Sequence, residues 1–206
     1  MKLTMKNGTL FIISAPSGAG KTSLVNEILD RNENIKASVS HTTRPSRPGE
    51  EDGVNYHFVG ELTFLAMIDN EEFLEHANVF GHLYGTSESW VNSTLDNGID
   101  VILEIDWQGA EQARKKFPFS QSIFILPPSI QSLEDRLKSR AQDKPAVISR
   151  RLSAAREEMS HYDEADYIVI NDVFNEALAN LESIINHQRL LDSKSIGLKH
   201  AKKLLS

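Results

Sequence analysis

Short apolar runs alternate with amphipathic patterns along most of the chain. Residues 9–15 (TLFIISA) are almost continuously apolar, which is typical of a strand buried on both faces of a parallel sheet. Similar runs predict buried strands at 101–105, 122–126 and 167–170. Apolar residues at helical spacing predict helices over 21–31, 108–116, 130–140, 148–161 and 174–191. Strands alternating with helices favour an α/β fold, a parallel sheet flanked by helices.

One stretch, residues 35–89, breaks this alternation. It contains short β-like pieces, glycine turns and one helical pattern near residues 62–70. We interpret it as an inserted α+β lobe, after which the first sheet resumes near Val101. The predicted organisation is a core of residues 1–36 and 91–206 and a lobe of residues 37–90.

Composition and charge exclude several classes of protein. The 206 residues are 40% hydrophobic and 25% charged, which is ordinary for a globular protein. A net charge of -7 argues against nonspecific binding to nucleic acid or an anionic membrane. The absence of cysteine excludes disulfides, thiolate metal sites and a cysteine nucleophile. Because no stretch approaches the ~20 apolar residues of a membrane helix, we expect a cytoplasmic protein.

The sharpest motif is SAPSGAGKTS, between the first predicted strand and the first predicted helix. Gly20, Lys21 and Thr22 match the pattern G-x-x-x-x-G-K-[ST], although Ala15 replaces its first glycine. Gly18 and Gly20 allow a tight turn that directs backbone N–H groups inward at a helix N-terminus, where a polyphosphate can bind. The predicted ATP-binding loop comprises Ala15, Pro16, Ser17, Gly18, Ala19, Gly20, Lys21, Thr22 and Ser23.

Two side chains of this loop have the chemistry that a nucleotide requires. Lys21 would neutralise β- and γ-phosphate oxygens, and the Thr22 hydroxyl is placed to coordinate Mg²⁺. The motif therefore predicts ATP or GTP with Mg²⁺. The alternative is a glycine-rich turn with a solvated lysine, which the flanking strand and helix disfavour.

Two arginines in the lobe form a second candidate anion site. Arg44 and Arg47 alternate with Pro45 and Pro48, which stiffen the turn and hold two guanidinium groups close together. Such a pair repels unless an anion lies between them, as a nucleotide monophosphate would. By itself the turn could equally be a solvated charged loop, and the acidic residues 50–52 after it are interpreted as a solvated turn.

Six ordered blocks, spanning about residues 8–191, resemble the guanylate kinases: SAPSGAGKTSL, SVSHTTRPSRPGEEDGVNYHFV, FLEHANVFGHLYGTS, VILEIDWQGA, FILPPS and YIVIND. The resemblance implies a P-loop nucleoside-monophosphate kinase fold with an inserted GMP-binding lobe and a short lid at about 137–150. It implies ATP-dependent phosphorylation of GMP to GDP by in-line transfer, with Mg²⁺, in purine nucleotide metabolism and GMP recycling. The substrates would be ATP and GMP, and the sequence permits a homo-oligomer.

Within this resemblance, Glu75 is the residue that would identify the base. A carboxylate can accept hydrogen bonds from guanine N1–H and N2–H₂ together, whereas adenine has an acceptor at N1 and no 2-amino group. An ordinary surface glutamate on a strand is the alternative. The resemblance places the GMP site at Ser40, Arg44, Arg47, Tyr56, Glu75, Tyr84, Gly85, Thr86, Glu104 and Asp106.

Two acidic residues, Glu104 within the predicted strand at 101–105 and Asp106 directly after it, are compatible with several roles. Glu104 and Asp106 share one face by the strand period of two, at the edge of a parallel sheet where ligands bind. They could orient Mg²⁺ waters, the acceptor phosphate or guanine. The family commonly has Asp where Glu104 stands, and a strand-end carboxylate facing solvent is the alternative for Glu104.

The resemblance also implies a lid that clamps the donor nucleotide. Arg136 and Arg140 share a helix face, and Arg151 follows the polar stretch after them. With Lys21 and Arg44 they make up the predicted catalytic residues. Asn171 matches a family residue near the donor adenine, and an alternative that does not exclude this role is a cap of the helix that begins at Phe174.

Two other functions compete with a guanylate kinase. One is a small kinase of the same scaffold that acts on adenylate, thymidylate or a phosphorylated sugar. The other is a guanylate-kinase-like binding module that recognises peptides and has lost catalysis. Glu75, Tyr84 and the double-arginine turn favour GMP over the first rival, and the intact Gly20–Lys21–Thr22 sequence argues against the second.

Overall fold

The computed structural model describes residues 7–139 and 145–205. The strands in chain order are β1 (Leu10–Ser14), β2 (Ile35–Ala37), β3 (His41–Thr42), β4 (His57–Phe58), β5 (Phe73–Val79), β6 (His82–Ser87), β7 (Asp100–Glu104), β8 (Gln121–Leu126) and β9 (Tyr167–Ile170). The helices are α1 (Lys21–Arg31), α2 (Glu61–Asp69), α3 (Glu88–Asp96), α4 (Trp107–Lys116), α5 (Ile130–Ser139), α6 (Pro145–Met159) and α7 (Phe174–Leu204), with a 3₁₀ turn at Tyr162–Glu164.

The core is a five-stranded parallel sheet in the order β2-β7-β1-β8-β9. Side chains alternate across its central strand, so Phe11 and Ile13 face one apolar cluster while Leu10 and Ile12 face another. Helices α1 and α7 cover the first cluster, and α3 and α4 cover the second. The strand is therefore buried on both faces, as its continuous apolar sequence predicts.

The inserted lobe has its own four-stranded sheet, in the order β4-β3-β6-β5. Pairs β3–β6 and β5–β6 are antiparallel, whereas β3–β4 is parallel. Phe64 of α2 and Phe73 of β5 are buried with ring centroids 4.6 Å apart. A Cβ atom at Gly85 would lie 2.9 Å from Phe73 and 3.0 Å from Phe64, so Gly85 allows the two rings to pack against the sheet.

The structure departs from the sequence prediction in three places. Residues Ile35–Ala37, predicted to begin the stretch that breaks the alternation, form β2 and pair with β7 in the parallel sheet. Helix α3 was not predicted, because no element was assigned between the end of that stretch at residue 89 and the strand that begins at Val101. Helix α7 continues to Leu204, whereas the pattern predicted an end near residue 191. The division of the chain into core and lobe stays a prediction.

Among residues 7–139 and 145–205, none of the helices combines the length and the apolar character needed to cross a bilayer.

Candidate active site

The loop between β1 and α1 has the backbone of an anion-binding turn. Gly18 and Gly20 both have a φ of 94°, a left-handed conformation that favours glycine. Ala15 does not have a positive φ, so an alanine is tolerated where the sequence pattern has glycine. The loop closes through a hydrogen bond from Ala19 N to Pro16 O of 3.0 Å, and α1 begins directly after it. Backbone N–H groups and a helix N-terminus thus meet at one point.

Two side chains hold this loop from behind. The amide Nδ2 of Asn171 donates to Ala19 O at 2.7 Å, and it would lie 2.4 Å from a Cβ atom at Gly20. Arg136 of α5 donates from Nη2 to Asn171 O at 2.7 Å and from Nη1 to Ala19 O at 3.3 Å. The capping alternative for Asn171 is wrong, because the residue before α7 is Val173 and no side chain caps that helix.

Lys21 lies inside the site rather than in solvent. Its Nζ donates to Ile105 O at 2.8 Å. Burial lowers the pKa of the Lys21 ammonium, while the negative charges of Glu104, Asp106 and Glu158 oppose this shift. The site therefore contains one buried cation among several carboxylates, and a bound phosphate would add negative charge beside it.

The Thr22 hydroxyl is bonded to the strand-end carboxylate of β7. Thr22 Oγ1 donates to Glu104 Oε1, which joins the phosphate loop to the neighbouring strand. Within the described part of the chain no cluster of three or more His, Cys, Asp or Glu side chains could hold a metal ion. These oxygen donors nevertheless suit Mg²⁺, which keeps several waters and takes phosphate oxygens as further ligands.

The phosphate loop and the lobe line one continuous cavity of about 310 Å³. Its predicted members come from the loop, from the lobe and from the end of β7: Ala15, Pro16, Ser17, Gly18, Gly20, Lys21, Thr22, Ser23, Ser40, Tyr56, Glu75, Tyr84, Glu104 and Asp106. Residues that sequence reasoning did not place there are Ala77, Val79, Phe80, Ile105 and Glu158. The cavity therefore joins the phosphate-loop site and the candidate site in the lobe, which are far apart in the sequence.

Glu75 is a buried carboxyl group at the lobe end of this cavity, only 3% exposed. It accepts a hydrogen bond of 2.6 Å from Thr86 Oγ1, and Ser40 Oγ lies 3.4 Å from the same hydroxyl. A Cβ atom at Gly109 would lie 2.4 Å from Glu75 Oε2, so the glycine in the first turn of α4 makes room for the carboxylate. Asp106 caps the same helix by accepting from Gly109 N at 2.9 Å.

Burial raises the pKa of Glu75 to about 7, and the negative charge of Asp106 adds to the rise, while the Thr86 hydrogen bond opposes it. A polar ligand that donates a hydrogen bond to this carboxyl group would favour its ionised form. The hydrogen bond from Thr86 occupies only part of the acceptor capacity of the Glu75 carboxylate.

This pKa gives a stability prediction for Glu75→Gln. A rise from the ordinary value of 4.5 to about 7 corresponds to a penalty of about 3 kcal/mol for the ionised form. The penalty is absent below the unfolded pKa of 4.5, grows as the pH rises from there to the folded pKa of about 7, and is constant above it. We expect the variant to match the wild type near pH 4 and to be more stable by up to about 3 kcal/mol near pH 8. Urea unfolding at both pH values measures this; an equal difference at both would contradict it.

The double-arginine turn is arranged differently from the prediction. Arg44, which is 8% exposed, donates from Nη1 and Nη2 to the Glu50 carboxylate at 3.0 and 2.8 Å. Glu50 also accepts from the backbone N–H of Arg47 at 2.7 Å. Glu50 is therefore an ion-pair partner and not a solvated turn residue, and the Arg44 hydrogen bonds hold its pKa below the usual range.

Aromatic rings connect this turn to the cavity. The Arg44 guanidinium lies 5.3 Å from the centroid of Tyr56, and the Tyr56 and Tyr84 rings are 5.9 Å apart. Burial raises the pKa of Tyr56, so its hydroxyl stays protonated and can donate a hydrogen bond. Arg44 thus lies just behind the two tyrosines that face the cavity.

Several predicted site residues lie outside the lining of this cavity. Arg47 is exposed on the lobe, while Thr86 and Gly85 are buried behind the lining. Ala19 is buried within the loop, and Arg151 is a half-buried residue of α6. Arg44, Arg136 and Asn171 hold neighbouring residues, as described above. Arg140 and part of the predicted lid, residues 140–144, lie outside the described residues.

Glu158 is the clearest charged residue that sequence reasoning missed. From α6 its Oε2 accepts a hydrogen bond of 2.8 Å from the Ser17 N–H of the phosphate loop. Burial raises the pKa of Glu158. In the sequence it follows Glu157 in an ordinary amphipathic pattern, and no local signal distinguishes the two. Gly109 could have been noticed as a glycine inside a predicted helix.

The family model described as guanylate kinase matches residues 7–188. The guanylate kinase of Methylobacillus flagellatus is 60% identical over 189 residues, which are 92% of this chain and 94% of that protein. The chain belongs to the guanylate kinase family. The guanylate kinase of Alcanivorax borkumensis is 56% identical over 194 residues, covering 94% of each chain.

A solved structure agrees with this guanylate kinase assignment. The crystal structure of guanylate kinase from Anaplasma phagocytophilum matches with a TM-score of 0.74 at 34% identity, covering 91% of this chain and 89% of that one. The predicted α/β P-loop kinase fold is confirmed. As a guanylate kinase family member, the protein is a nucleoside monophosphate kinase, a transferase.

Proposed function

We propose that the protein transfers the γ-phosphoryl group of ATP directly to the phosphate of GMP, which yields ADP and GDP. The single observation that carries this proposal is the position of Glu75, a buried carboxyl in the same cavity as the phosphate loop. Membership of the guanylate kinase family supports the reaction in general terms. The cavity contains no cysteine, and direct in-line transfer needs no covalent intermediate.

The donor phosphates would bind the N–H groups of the loop from Ala15 to Ser23. Lys21 Nζ, now bonded to Ile105 O, lies where it can contact the β- and γ-phosphate oxygens. Thr22 and Glu104 are the residues that would hold Mg²⁺ and its waters. When bound, this ion would neutralise charge on the transferring phosphoryl group.

Arginines would complete the donor side. Arg136 is positioned to act near the loop, since its guanidinium already contacts Asn171 O and Ala19 O. Arg151 and Arg140 are assigned to the lid by resemblance alone. Ser17 N–H is bonded to Glu158, so a phosphate that takes this donor must displace the Glu158 carboxylate.

The acceptor would lie with its base against Glu75 and its phosphate against the tyrosines. Glu75 would accept from guanine N1–H and N2–H₂, supported by Thr86, Ser40 and Asp106. Arg44, Arg47, Tyr56 and Tyr84 would contact the GMP phosphate. The Arg44 guanidinium donates two hydrogen bonds to the Glu50 carboxylate, so a bound phosphate would replace Glu50 as the anionic partner of Arg44.

A panel of monophosphates tests the proposed function. The purified protein is given ATP, Mg²⁺ and one of GMP, AMP, TMP or a phosphorylated sugar, and ADP release is measured. We expect GMP to be preferred, because adenine would leave Glu75 without its donors. Preference for AMP or TMP would overturn the assignment, and no turnover with any acceptor would favour the binding module.

The same assay without an acceptor tests whether the site excludes water. We expect little ATP hydrolysis in the absence of GMP, because the lobe and lid close only over both nucleotides. Hydrolysis at the full rate without GMP would contradict this mechanism.

A cytoplasmic location, a role in GMP recycling and the absence of nucleic-acid binding stay predictions of the sequence. A homo-oligomer is likewise a prediction that the sequence permits.

A further inference from the structure

The turn at the tip of the lobe hairpin has an unfavourable backbone. Strands β5 and β6 are joined by Phe80 and Gly81, which have φ values of 52° and 86°. Two-residue hairpins with positive φ at both positions favour Asn-Gly or Asp-Gly, because short polar residues tolerate this conformation. A bulky phenylalanine does so only with strain. Asn78 Oδ1, which accepts from Gly81 N at 3.0 Å, helps to hold the turn.

A second non-glycine residue with positive φ, Glu71, has this backbone conformation for a purely local reason. Glu71, with a φ of 55°, follows α2. Its N–H bonds to Ile68 O at 2.9 Å, and the N–H of Glu72 bonds to Met67 O at 3.0 Å. These two bonds form the usual left-handed helix ending, which needs positive φ at Glu71. Glu71 is exposed and does not line the cavity, so helix termination explains its conformation.

Phe80, in contrast, has a place in the cavity. It lines the same space as the phosphate loop, although it is 49% exposed. Along β5 the cavity-lining residues alternate as Glu75, Ala77 and Val79, and Phe80 follows them at the tip. The hairpin thus presents an apolar wall that begins at the base-reading carboxylate and ends in an aromatic ring.

The position of this wall indicates what it contacts. At about 3.3 Å per residue, Phe80 lies roughly 17 Å along the hairpin from Glu75. A nucleotide bonded to Glu75 extends from the buried end of the wall toward this open end. The backbone strain is retained at the point where an exposed ring faces the cavity, and stored strain of this kind concentrates at ligand-binding sites.

We propose that Phe80 is an acceptor-binding residue, whose ring covers the bound monophosphate at the open end of the cleft when the lobe closes. This inference rests on the proposed function, in which the acceptor is GMP. Exclusion of water from the phosphate end of the bound monophosphate would be its contribution to affinity. The strain at the turn is then the consequence of placing an aromatic ring where the backbone prefers asparagine.

The test is Phe80→Asn, which removes the aromatic ring but suits the backbone conformation of the turn. Asparagine suits the turn, so we expect the melting temperature to be unchanged or higher. Loss of the ring should raise KM for GMP about tenfold and leave KM for ATP within about twofold. Direct GMP binding by calorimetry should weaken by the same factor. Phe80→Leu keeps an apolar side chain and should recover most of the GMP affinity.

Glu71→Asn is the matched control, because it places asparagine at the other non-glycine residue with positive φ in the described part of the chain. It should leave both KM values unchanged. The inference is overturned if Phe80→Asn leaves KM for GMP unchanged, if it raises both KM values equally, or if Phe80→Leu is as impaired as Phe80→Asn. A wild-type protein that does not phosphorylate GMP would overturn the proposed function as well, which separates that failure from a failure at Phe80 alone.

Discussion

Glu75→Gln is expected to lower kcat/KM for GMP by about 10³-fold or more, while KM for ATP changes little. In the proposed complex the buried carboxylate would offer two acceptor oxygens to the paired N–H donors of guanine. A glutamine would turn an NH₂ group toward one of them, so two donors would face each other at a buried position. Steady-state ADP release with varied GMP measures the effect, and unchanged GMP kinetics would remove Glu75 from the base pocket.

The same substitution should stabilise the protein above neutral pH, as the raised pKa of Glu75 requires. Opposite signs for activity and stability are informative, because a variant that merely misfolds would lose both. Glu72→Gln is a matched control on the same lobe, since Glu72 is exposed and lies outside the cavity. It should leave the GMP kinetics unchanged.

Lys21→Ala is expected to lower kcat by about 10³-fold or more while the fold is preserved. In the proposed complex the ammonium would face the donor phosphates, and its removal would leave the negative charges of Glu104, Asp106 and Glu158 without this neighbouring cation. Burial lowers the pKa of Lys21, which means that the folded protein holds the charged form at a cost, so its loss should not unfold the protein. Stopped-time GDP assays and circular dichroism measure the two outcomes.

Lys115→Ala is the control for this experiment, because Lys115 is an exposed lysine of α4 that forms an exposed ion pair with Glu111. It should retain full activity, since exposed ion pairs of this kind contribute little. An active Lys21→Ala variant would contradict the assigned role of the loop. An inactive and unfolded one would instead show that Lys21 is required for folding, against the expectation from its pKa.

The phosphate loop shows how much of the site was predictable. Strand, glycines, lysine and helix follow each other without interruption, so local backbone preferences are enough to build the turn. The parallel sheet was predictable because a strand buried on both faces needs a continuous apolar run. Strand β2 escaped notice because three residues, of which only Ile35 is buried, leave too short a pattern.

The hydrogen-bond partners of individual polar side chains were not predictable. Glu50 was interpreted as solvated, but the fold of the turn brings it onto Arg44. Asn171 was weighed as a helix cap, but the position of β9 beside the loop makes it a support for Ala19. In both cases the residue type allows several partners, and sequence spacing does not choose among them.

By itself the sequence determined the parallel α/β core, the phosphate loop and the kinase family, because each depends on residues that are close in sequence or on ordered motifs. The tertiary structure decided what surrounds the loop. It brings Glu75 of the lobe, Glu158 of α6 and the strained Phe80 to one cavity. Burial and neighbouring charges in that cavity then set the pKa of Glu75, and neither quantity exists before the lobe packs against the core.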